Sequence, residues 1–229
     1  MNRTTFKTTA FVIAGVLLLQ SSALAGPPLL CHPFRIGDAR SLPFAGPDWS
    51  RVLPSYDVNR LPDDTIALLT ADTPVIVRME TLRRATVYGR GNPKIAAVLL
   101  ERMKARAAAI KPERRDREAL LAWFDLGYLA ETYKQAALIS QHDSSFRSFK
   151  EASPDQLDGF ALVKKAIAAG GGPEMEFAAA IIASSHRGTD YNEHLRNAAA
   201  GARPGSMLAQ NLASHFPEAM KSARLDAKK

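Results

Sequence analysis

The chain has 229 residues, of which 46% are hydrophobic and 23% are charged, and its formal net charge is +7. This composition is typical of one globular domain with a sizeable core and excludes disorder as the default state. The chain contains a single cysteine, which excludes an internal disulfide, so its stability has to come from the apolar core. Acidic residues interrupt the densest basic run, 101–117, which contains no aromatic residue, so nucleic-acid binding is not expected.

Residues 1–25 have the three parts of a secretory signal peptide. Arg3 and Lys7 form a basic start, an apolar run covers 10–19, and the segment ends in Ala-Leu-Ala, an A-x-A cleavage site. The apolar run is too short to span a bilayer as a permanent helix. The sequence therefore predicts an exported protein, periplasmic or extracellular, that is cleaved after Ala25 and keeps a net charge of +5. The alternative is an uncleaved membrane anchor.

Cys31 follows the predicted cleavage site closely. Lipid attachment is not expected there, because Leu30 occupies the position that bacterial lipoprotein signals fill with a small residue. The neighbouring His32 is not expected to activate the thiol, because adjacent side chains in an extended segment point away from each other. We expect a packed or idle thiol, with an intermolecular disulfide as the alternative.

Residues 26–73 are predicted to form a Pro-rich extended arm. Eight of the fourteen prolines lie between 26 and 74, and this density excludes long helices and central strands. Aromatic and aliphatic residues lie between the prolines, whereas a flexible linker would be polar. We therefore expect the arm to pack on a helical body, with a short helix over 63–69 that begins after Pro62.

Residues 74–216 are predicted to form an all-α domain, followed by a basic, disordered tail at 217–229. Six prolines lie at or near the first turn of an expected helix, where the missing N–H costs nothing, and apolar residues recur at helical spacing in between. The pattern predicts a bundle or short superhelix of about seven helices in antiparallel pairs. The expected helices cover 75–88, 95–107, 117–140, 157–167, 175–183, 191–200 and 206–213.

The segment 117–140 is predicted to be the central core helix. Its apolar residues cover most of the helix circumference, which is typical of a buried helix. Only a narrow polar stripe through Glu118, Asp125 and Thr132 remains. The other helices are expected to pack around this one.

A faint internal repeat links two helix junctions. The segments 82–93 (LRRATVYGRGNP) and 162–173 (LVKKAIAAGGGP) share a leading leucine, basic residues, glycine at the helix end and proline at the next start. The stretch 160–184 resembles the junction between successive tetratricopeptide-like repeats, in which small residues let paired helices pack closely. This resemblance implies a short superhelix. It covers about two units and lacks the family's tryptophan and glycine-tyrosine positions, and any antiparallel helix pair ending in glycine before a proline would look similar.

Asp125 and Glu131, on the central helix, are two of three carboxylates considered as catalytic acid-base groups. Asp125 would need a partner if it is buried, such as Arg84, Lys134 or a tyrosine hydroxyl, and its pKa could then be shifted as in catalytic sites. The simpler interpretation is that Asp125 lies on the exposed polar stripe.

Glu174 is the third carboxylate considered. It lies with Glu176 at a predicted helix start, where the helix dipole alone accounts for acidic residues. The chain has no nucleophile elbow, phosphate-binding loop or nucleotide fingerprint, so no cofactor is expected.

His186, Asp190 and His194 follow one another at intervals of four. On an unbroken helix, this spacing would place three possible metal ligands on one face. However, the sequence Gly-Thr-Asp at 188–190 is typical of a turn followed by a helix N-cap. A metal site is therefore not expected.

Two hypotheses of function remain. The first is a non-catalytic helical protein of the bacterial envelope that binds an envelope protein, a peptide or an acidic polymer. The second is an exported hydrolase that acts on envelope polymers through a carboxylate acid or base. In either case, the cleaved protein is not expected to be integral to the membrane.

Overall fold

The structure is a computed structural model that describes residues 28–46, 48–111, 113–114, 116–152, 154–184 and 190–217. Throughout these ranges the regular secondary structure is helical and contains no strand, which confirms the all-α prediction. No helix in the described ranges combines the length and the apolarity that crossing a membrane requires. The predicted signal peptide, His186 and residues 218–229 of the predicted tail lie outside the described residues.

Nine α-helices lie in the described part of the chain. They are α1 (Leu61–Leu68), α2 (Val75–Gly89), α3 (Pro93–Ala108), α4 (Arg117–Ile139), α5 (Phe149–Ala152), α6 (Gly159–Ala168), α7 (Pro173–Ser184), α8 (Asp190–Gly201) and α9 (Met207–His215). Short 3-10 helices cover Val58–Arg60 and Ser144–Phe146. All seven predicted body helices are present, and α1 corresponds to the predicted short helix. The single-turn helix α5 was not predicted, because one turn is too short to give a periodic pattern.

The central helix α4 contacts α2, α3, α5, α6 and α7, as the apolar pattern predicted. The exposed-stripe interpretation was wrong for Asp125 and Thr132, because α2 covers both residues. Arg78 on α2 contacts Asp125 at 2.6 Å, and the Thr86 hydroxyl lies 2.8 Å from that of Thr132. Only Glu118, at the start of the stripe, is exposed. The order of these contacts shows that α2 and α4 run parallel.

Helices α4 and α6 run antiparallel and approach until their backbones touch. The Lys165 ammonium lies 3.8 Å from the centre of the Trp123 ring, while Gly127 meets Gly159 further along α4. A Cβ atom on Gly127 would lie 2.5 Å from the carbonyl oxygen of Gly159, closer than such atoms can pack. Glycine is therefore required here by the close approach of the two helices.

Helices α7 and α8 form a second antiparallel pair. Glu176 near the start of α7 contacts His194 in the middle of α8, and Gly201 at the end of α8 lies against the ring of Pro173. These two pairs agree with the predicted antiparallel arrangement.

The two junctions of the faint repeat have different backbone geometry. At the end of α6, Gly170 has a φ of +106°, and the Gly171 N–H donates to the Ala166 carbonyl at 3.1 Å, which forms a Schellman motif. At the end of α2, Gly91 is outside the left-handed region, and the side chain of Asn92 caps the start of α3. Similar residues therefore end these two helices in different ways.

Candidate functional site

The candidate site is the surface where the N-terminal arm, residues 28–57, lies against α2, α4, α7 and α9. The arm consists of a terminal leg (28–36), a turn, and a return leg (42–53) that leads towards α1. Both legs bury apolar side chains in the core of the helical body: Leu29, Leu30, Phe34, Ile36 and Leu42, each 7% exposed or less. The terminal leg turns and bends over 28–32 and contains no turn over 33–36. A segment of this kind, outside helices and sheets, has to satisfy its backbone groups elsewhere.

Side chains of the body meet the backbone of the terminal leg. The Leu29 N–H donates to Gln135 Oε1 on α4 at 2.9 Å. The Phe34 N–H donates to Glu80 Oε2 on α2 at 3.0 Å. These contacts are made to the backbone of the leg, so they do not depend on the identity of its side chains.

Asn211 on α9 makes a two-way contact with the next residue of the leg. The Arg35 N–H donates to Asn211 Oδ1 at 2.9 Å, and Asn211 Nδ2 donates to the Arg35 carbonyl at 2.8 Å. The same amide nitrogen also donates to the Met207 carbonyl of its own helix at 2.8 Å, which fixes the side-chain orientation. Asn211 thus takes the place of a neighbouring strand at this residue.

A buried charge cluster on α2 joins the two legs. Glu80 accepts hydrogen bonds from Arg83 Nε and Arg84 Nε, each at 2.7 Å, and spacings of three and four residues place these side chains together on one helix face. Arg83, which is fully buried, donates through Nη1 to the carbonyl of Leu30 at 3.1 Å and to that of Trp49 at 2.7 Å. One guanidinium therefore holds both legs of the arm.

Burial raises the pKa of the Glu80 carboxyl, but the hydrogen bonds and charges of Arg83 and Arg84 outweigh it and hold the pKa below its usual range. The carboxylate is thus ionised at neutral pH. A buried carboxylate that is paired in this way and also accepts a backbone N–H avoids most of the penalty of an isolated charge.

Two further α2 side chains hold the return leg. Arg84 Nη1 donates to the Leu42 carbonyl at 2.6 Å. The Tyr88 hydroxyl donates to the Pro43 carbonyl at 2.6 Å and accepts from the Leu53 N–H at 3.0 Å. Successive turns of α2 therefore hold the arm along much of its length.

His215 at the end of α9 completes the surface under the terminal leg. Its ring stacks on Phe34 with 4.8 Å between centroids and meets the edge of Phe177 from α7. Its Nδ1 lies 3.0 Å from the Asn211 carbonyl, and its Nε2 lies 3.4 Å from the His32 carbonyl. Burial lowers the pKa of His215, so its neutral form is favoured.

Cys31 lies in the terminal leg and is half-buried. Burial raises the pKa of its thiol to about 11, and the charge of Arg83 opposes this shift. The thiol is therefore protonated at neutral pH, which makes it a poor nucleophile.

The Tyr128 hydroxyl on α4 is buried, and no described residue is placed to form a hydrogen bond with it. Burial raises its pKa well above the usual value, and the charges of Glu80 and Arg83 also act on it. An unpaired polar group thus lies close to the α2 charge cluster.

Asp125, predicted as a catalytic candidate, is buried against Arg78, and both side chains are 1% exposed. The partner is thus Arg78 and not Arg84, Lys134 or a tyrosine hydroxyl, as the sequence suggested. Burial raises the pKa of Asp125, and the guanidinium of Arg78 opposes the shift. Arg78 also donates to the carbonyls of Thr70 and Thr73, so the pair anchors the loop between α1 and α2.

Glu131 and Glu174, the other catalytic candidates, lie apart from each other. Glu131 Oε1 accepts from the Phe160 N–H at 3.2 Å and from Lys134 Nζ at 2.8 Å, so it caps the start of α6. Glu174 lies partly exposed in the first turn of α7. The structure does not bring these two carboxylates together.

The predicted metal candidates have separate partners. His194 Nδ1 lies 2.5 Å from Glu176 Oε2, and Asp190 accepts from Lys164 Nζ at 3.2 Å. The third candidate, His186, lies outside the described residues. Within the described ranges, His, Cys, Asp and Glu side chains form no group of three that could hold a metal ion.

The roles of Glu80, Arg83, Gln135 and Asn211 were not predicted from the sequence. Charged residues of a helix ordinarily face solvent, whereas the α2 cluster faces the arm. One signal was present: a proline-rich segment with buried apolar side chains needs polar partners for its backbone. That need favours polar residues on the inner faces of the helices, but it does not identify which ones.

Comparison with known protein families, curated proteins and solved structures finds no match to this chain.

Proposed function

We propose that this chain is an exported, non-catalytic helical protein of the bacterial envelope that binds an apolar segment of another polypeptide. The observation that carries the proposal is the way the helical body holds its own arm. Gln135, Glu80 and Asn211 meet N–H and carbonyl groups of a leg that belongs to no helix or sheet, while apolar sites between the helices take its side chains. The basic, apolar and A-x-A parts of residues 1–25 support export.

A peptide fits this surface better than an acidic polymer does. The groups that face the arm include both hydrogen-bond acceptors and donors, as a peptide backbone requires, and the positive charges of Arg83 and Arg84 are already paired with Glu80. Recognition of a polyanion would instead require unpaired cations at the surface.

The non-catalytic part of the proposal is supported by the roles of the three carboxylates considered for catalysis. Asp125 is enclosed with Arg78, and Glu131 caps a helix. Glu174 lies in a first helical turn, where the dipole favours acidic residues.

One contact favours the alternative, an exported hydrolase of envelope polymers. Glu176 holds His194 through Nδ1 at 2.5 Å, and both side chains are partly accessible, at 14% and 12% exposure. A carboxylate on one ring nitrogen orients an imidazole so that the other nitrogen can transfer a proton. Under this alternative, His194→Gln abolishes the turnover of an envelope polymer without unfolding the protein.

Export is tested by fractionating the native host and sequencing the N-terminus of the purified protein. We expect the protein in the envelope or medium with Gly26 as its first residue. A cytoplasmic protein that retains Met1 would contradict export.

Binding is tested by cross-linking the mature protein, beginning at Gly26, to polypeptides of the native envelope fraction. We expect a saturable polypeptide partner that is lost when the protein is heat-unfolded beforehand. Capture that is unchanged by unfolding, or no capture together with hydrolysis of an envelope polymer, would reject the binding function.

A further inference from the structure

We propose that the site beneath the terminal leg is exchangeable: the leg leaves it, and an apolar segment of a different polypeptide takes its place. The inference rests on the proposed function and specifies the surface and the chemistry of the bound segment. The site consists of Gln135, Glu80, Arg83, Asn211 and the ring of His215, together with the apolar surface they border.

The leg can leave its site while the rest of the chain stays in place. After cleavage at Ala25 it is a chain end, and a tight turn connects it to the body. In this turn the Ala39 N–H donates to the Ile36 carbonyl at 3.1 Å, and Gly37 has a φ of +56°. Gly37, Asp38 and Arg40 are exposed, so the turn is free to open.

The polar groups of the open site keep partners outside the terminal leg. Arg83 retains Glu80 and the Trp49 carbonyl, and Glu80 retains Arg83 and Arg84. Asn211 retains the Met207 carbonyl. Departure of the leg therefore leaves no isolated buried charge, which is the feature that would otherwise make an open state inaccessible.

The contacts of the leg define the class of segment that fits. Buried Leu29, Leu30, Phe34 and Ile36 require apolar residues at the first, second, sixth and eighth positions of a segment that turns and bends over its first four residues and continues without a turn to the last. The intervening positions are partly or fully exposed and accept polar residues. The bonded N–H groups of Leu29, Phe34 and Arg35 exclude proline at the first, sixth and seventh positions.

The test uses the mature protein and a fluorescent synthetic peptide with the sequence of residues 28–36, in which Cys31→Ser prevents oxidation. The double variant Leu30→Ala, Phe34→Ala weakens the resident leg but leaves the site unchanged. We expect this variant to bind the peptide saturably, and the wild-type protein to bind it at least about tenfold more weakly, because its tethered leg competes at a high effective concentration.

Matched changes locate the binding. Adding Asn211→Ala to the double variant should weaken peptide binding by about tenfold, the effect of losing the paired backbone contact. Adding Gln210→Ala, at the adjacent exposed position of α9, should leave the affinity for the peptide unchanged. A peptide with Phe34→Pro, which lacks the N–H that meets Glu80, should not bind.

A second measurement uses the wild-type protein and does not depend on the variants folding. Cys31 is the only cysteine, it lies in the leg, and its thiol is held largely protonated. Excess peptide should therefore increase the rate of Cys31 alkylation severalfold, because release exposes the thiol and restores its ordinary acidity. The proline-containing peptide should leave the rate unchanged.

The inference is overturned if the folded double variant does not bind the peptide. It is also overturned if the alkylation rate of Cys31 stays unchanged in a saturating excess of the peptide. A concentration-dependent dimer with exchanged legs would also overturn it, because the occupant would then be a second copy of this chain. If a partner is captured from the envelope while either peptide result is negative, the binding function stands and exchange at this site is rejected.

Discussion

The side-chain amide of Asn211 pairs with both backbone groups of Arg35, although 176 positions separate the two residues in the chain. The carboxamide accepts from the N–H and donates to the carbonyl, as a neighbouring β-strand would. A helix thereby supplies the partner that an isolated extended segment lacks. The contact also ties the last described helix of the body to the leg that precedes the first helix.

Replacement of this amide should loosen the leg. We expect Asn211→Ala to lower the free energy of unfolding by about 1 to 3 kcal/mol, because two partly buried backbone groups lose their partner. Hydrogen exchange at the Arg35 amide should become faster, while exchange within α4 changes only with global stability. Denaturant titration and residue-resolved hydrogen exchange measure the two effects. Gln210→Ala is the matched control, and an equal loss of stability in that variant would contradict the assignment.

The α2 charge cluster should be more important for stability than any exposed ion pair. Arg83→Met removes a fully buried guanidinium, leaves Glu80 with one arginine, and deprives the Leu30 and Trp49 carbonyls of their donor. We expect the free energy of unfolding to fall by about 3 to 5 kcal/mol. Arg60→Met is the control, because Arg60 is 69% exposed and its pair with Asp64 should contribute less than about 1 kcal/mol.

Thermal and denaturant unfolding of the two variants give the comparison. An Arg83→Met protein as stable as the Arg60→Met control would show that the arm is held by its apolar side chains alone.

The helices could be predicted from the sequence because their signals are local. Apolar residues at helical spacing lie within the segments, proline lies in the first turn of α1, α3 and α7, and α4 is apolar around most of its circumference. The exposure of Asp125 was predicted wrongly for the same reason: the polar stripe of α4 is visible locally, but its cover by Arg78 on α2 is a tertiary contact. The contact of Arg35 with Asn211 is equally invisible, because no short-range pattern relates the two residues.

The close approach of α4 and α6 gives a prediction that is independent of the arm. Gly127→Ala places a methyl group against the carbonyl of Gly159 and the side chain of Leu162. Backbone atoms cannot shift as easily as the end of a flexible side chain, so α6 has to move away from α4. We expect this movement to lower the free energy of unfolding by at least about 1 to 3 kcal/mol. Calorimetry measures the loss. Gly91→Ala is the control, because a Cβ atom there meets nothing within 4 Å, and equal losses in both variants would contradict the close approach.

We expect His215 to make the packing of the terminal leg sensitive to pH. Burial lowers the pKa of His215 below its ordinary value of 6.5, so the folded state favours the neutral ring. The positive form of His32 opposes protonation of His215 further, whereas Glu80 favours it. Because the folded pKa is the lower one, the contribution to stability is fully present above pH 6.5 and is lost as the pH falls through the folded pKa.

We therefore expect the free energy of unfolding to fall below pH 6.5 by at most about 1.4 kcal/mol per pH unit from this group, the limit for one proton. His215→Phe keeps a ring against Phe34 and should remove this part of the pH dependence, whereas His142→Gln, in an exposed loop, should retain it. Denaturant titrations between pH 8 and pH 5 at roughly constant ionic strength measure the slopes. If His215→Phe and the wild-type protein lose stability in parallel over this range, then the proton is taken up elsewhere and the stacked imidazole does not control how tightly the leg is held.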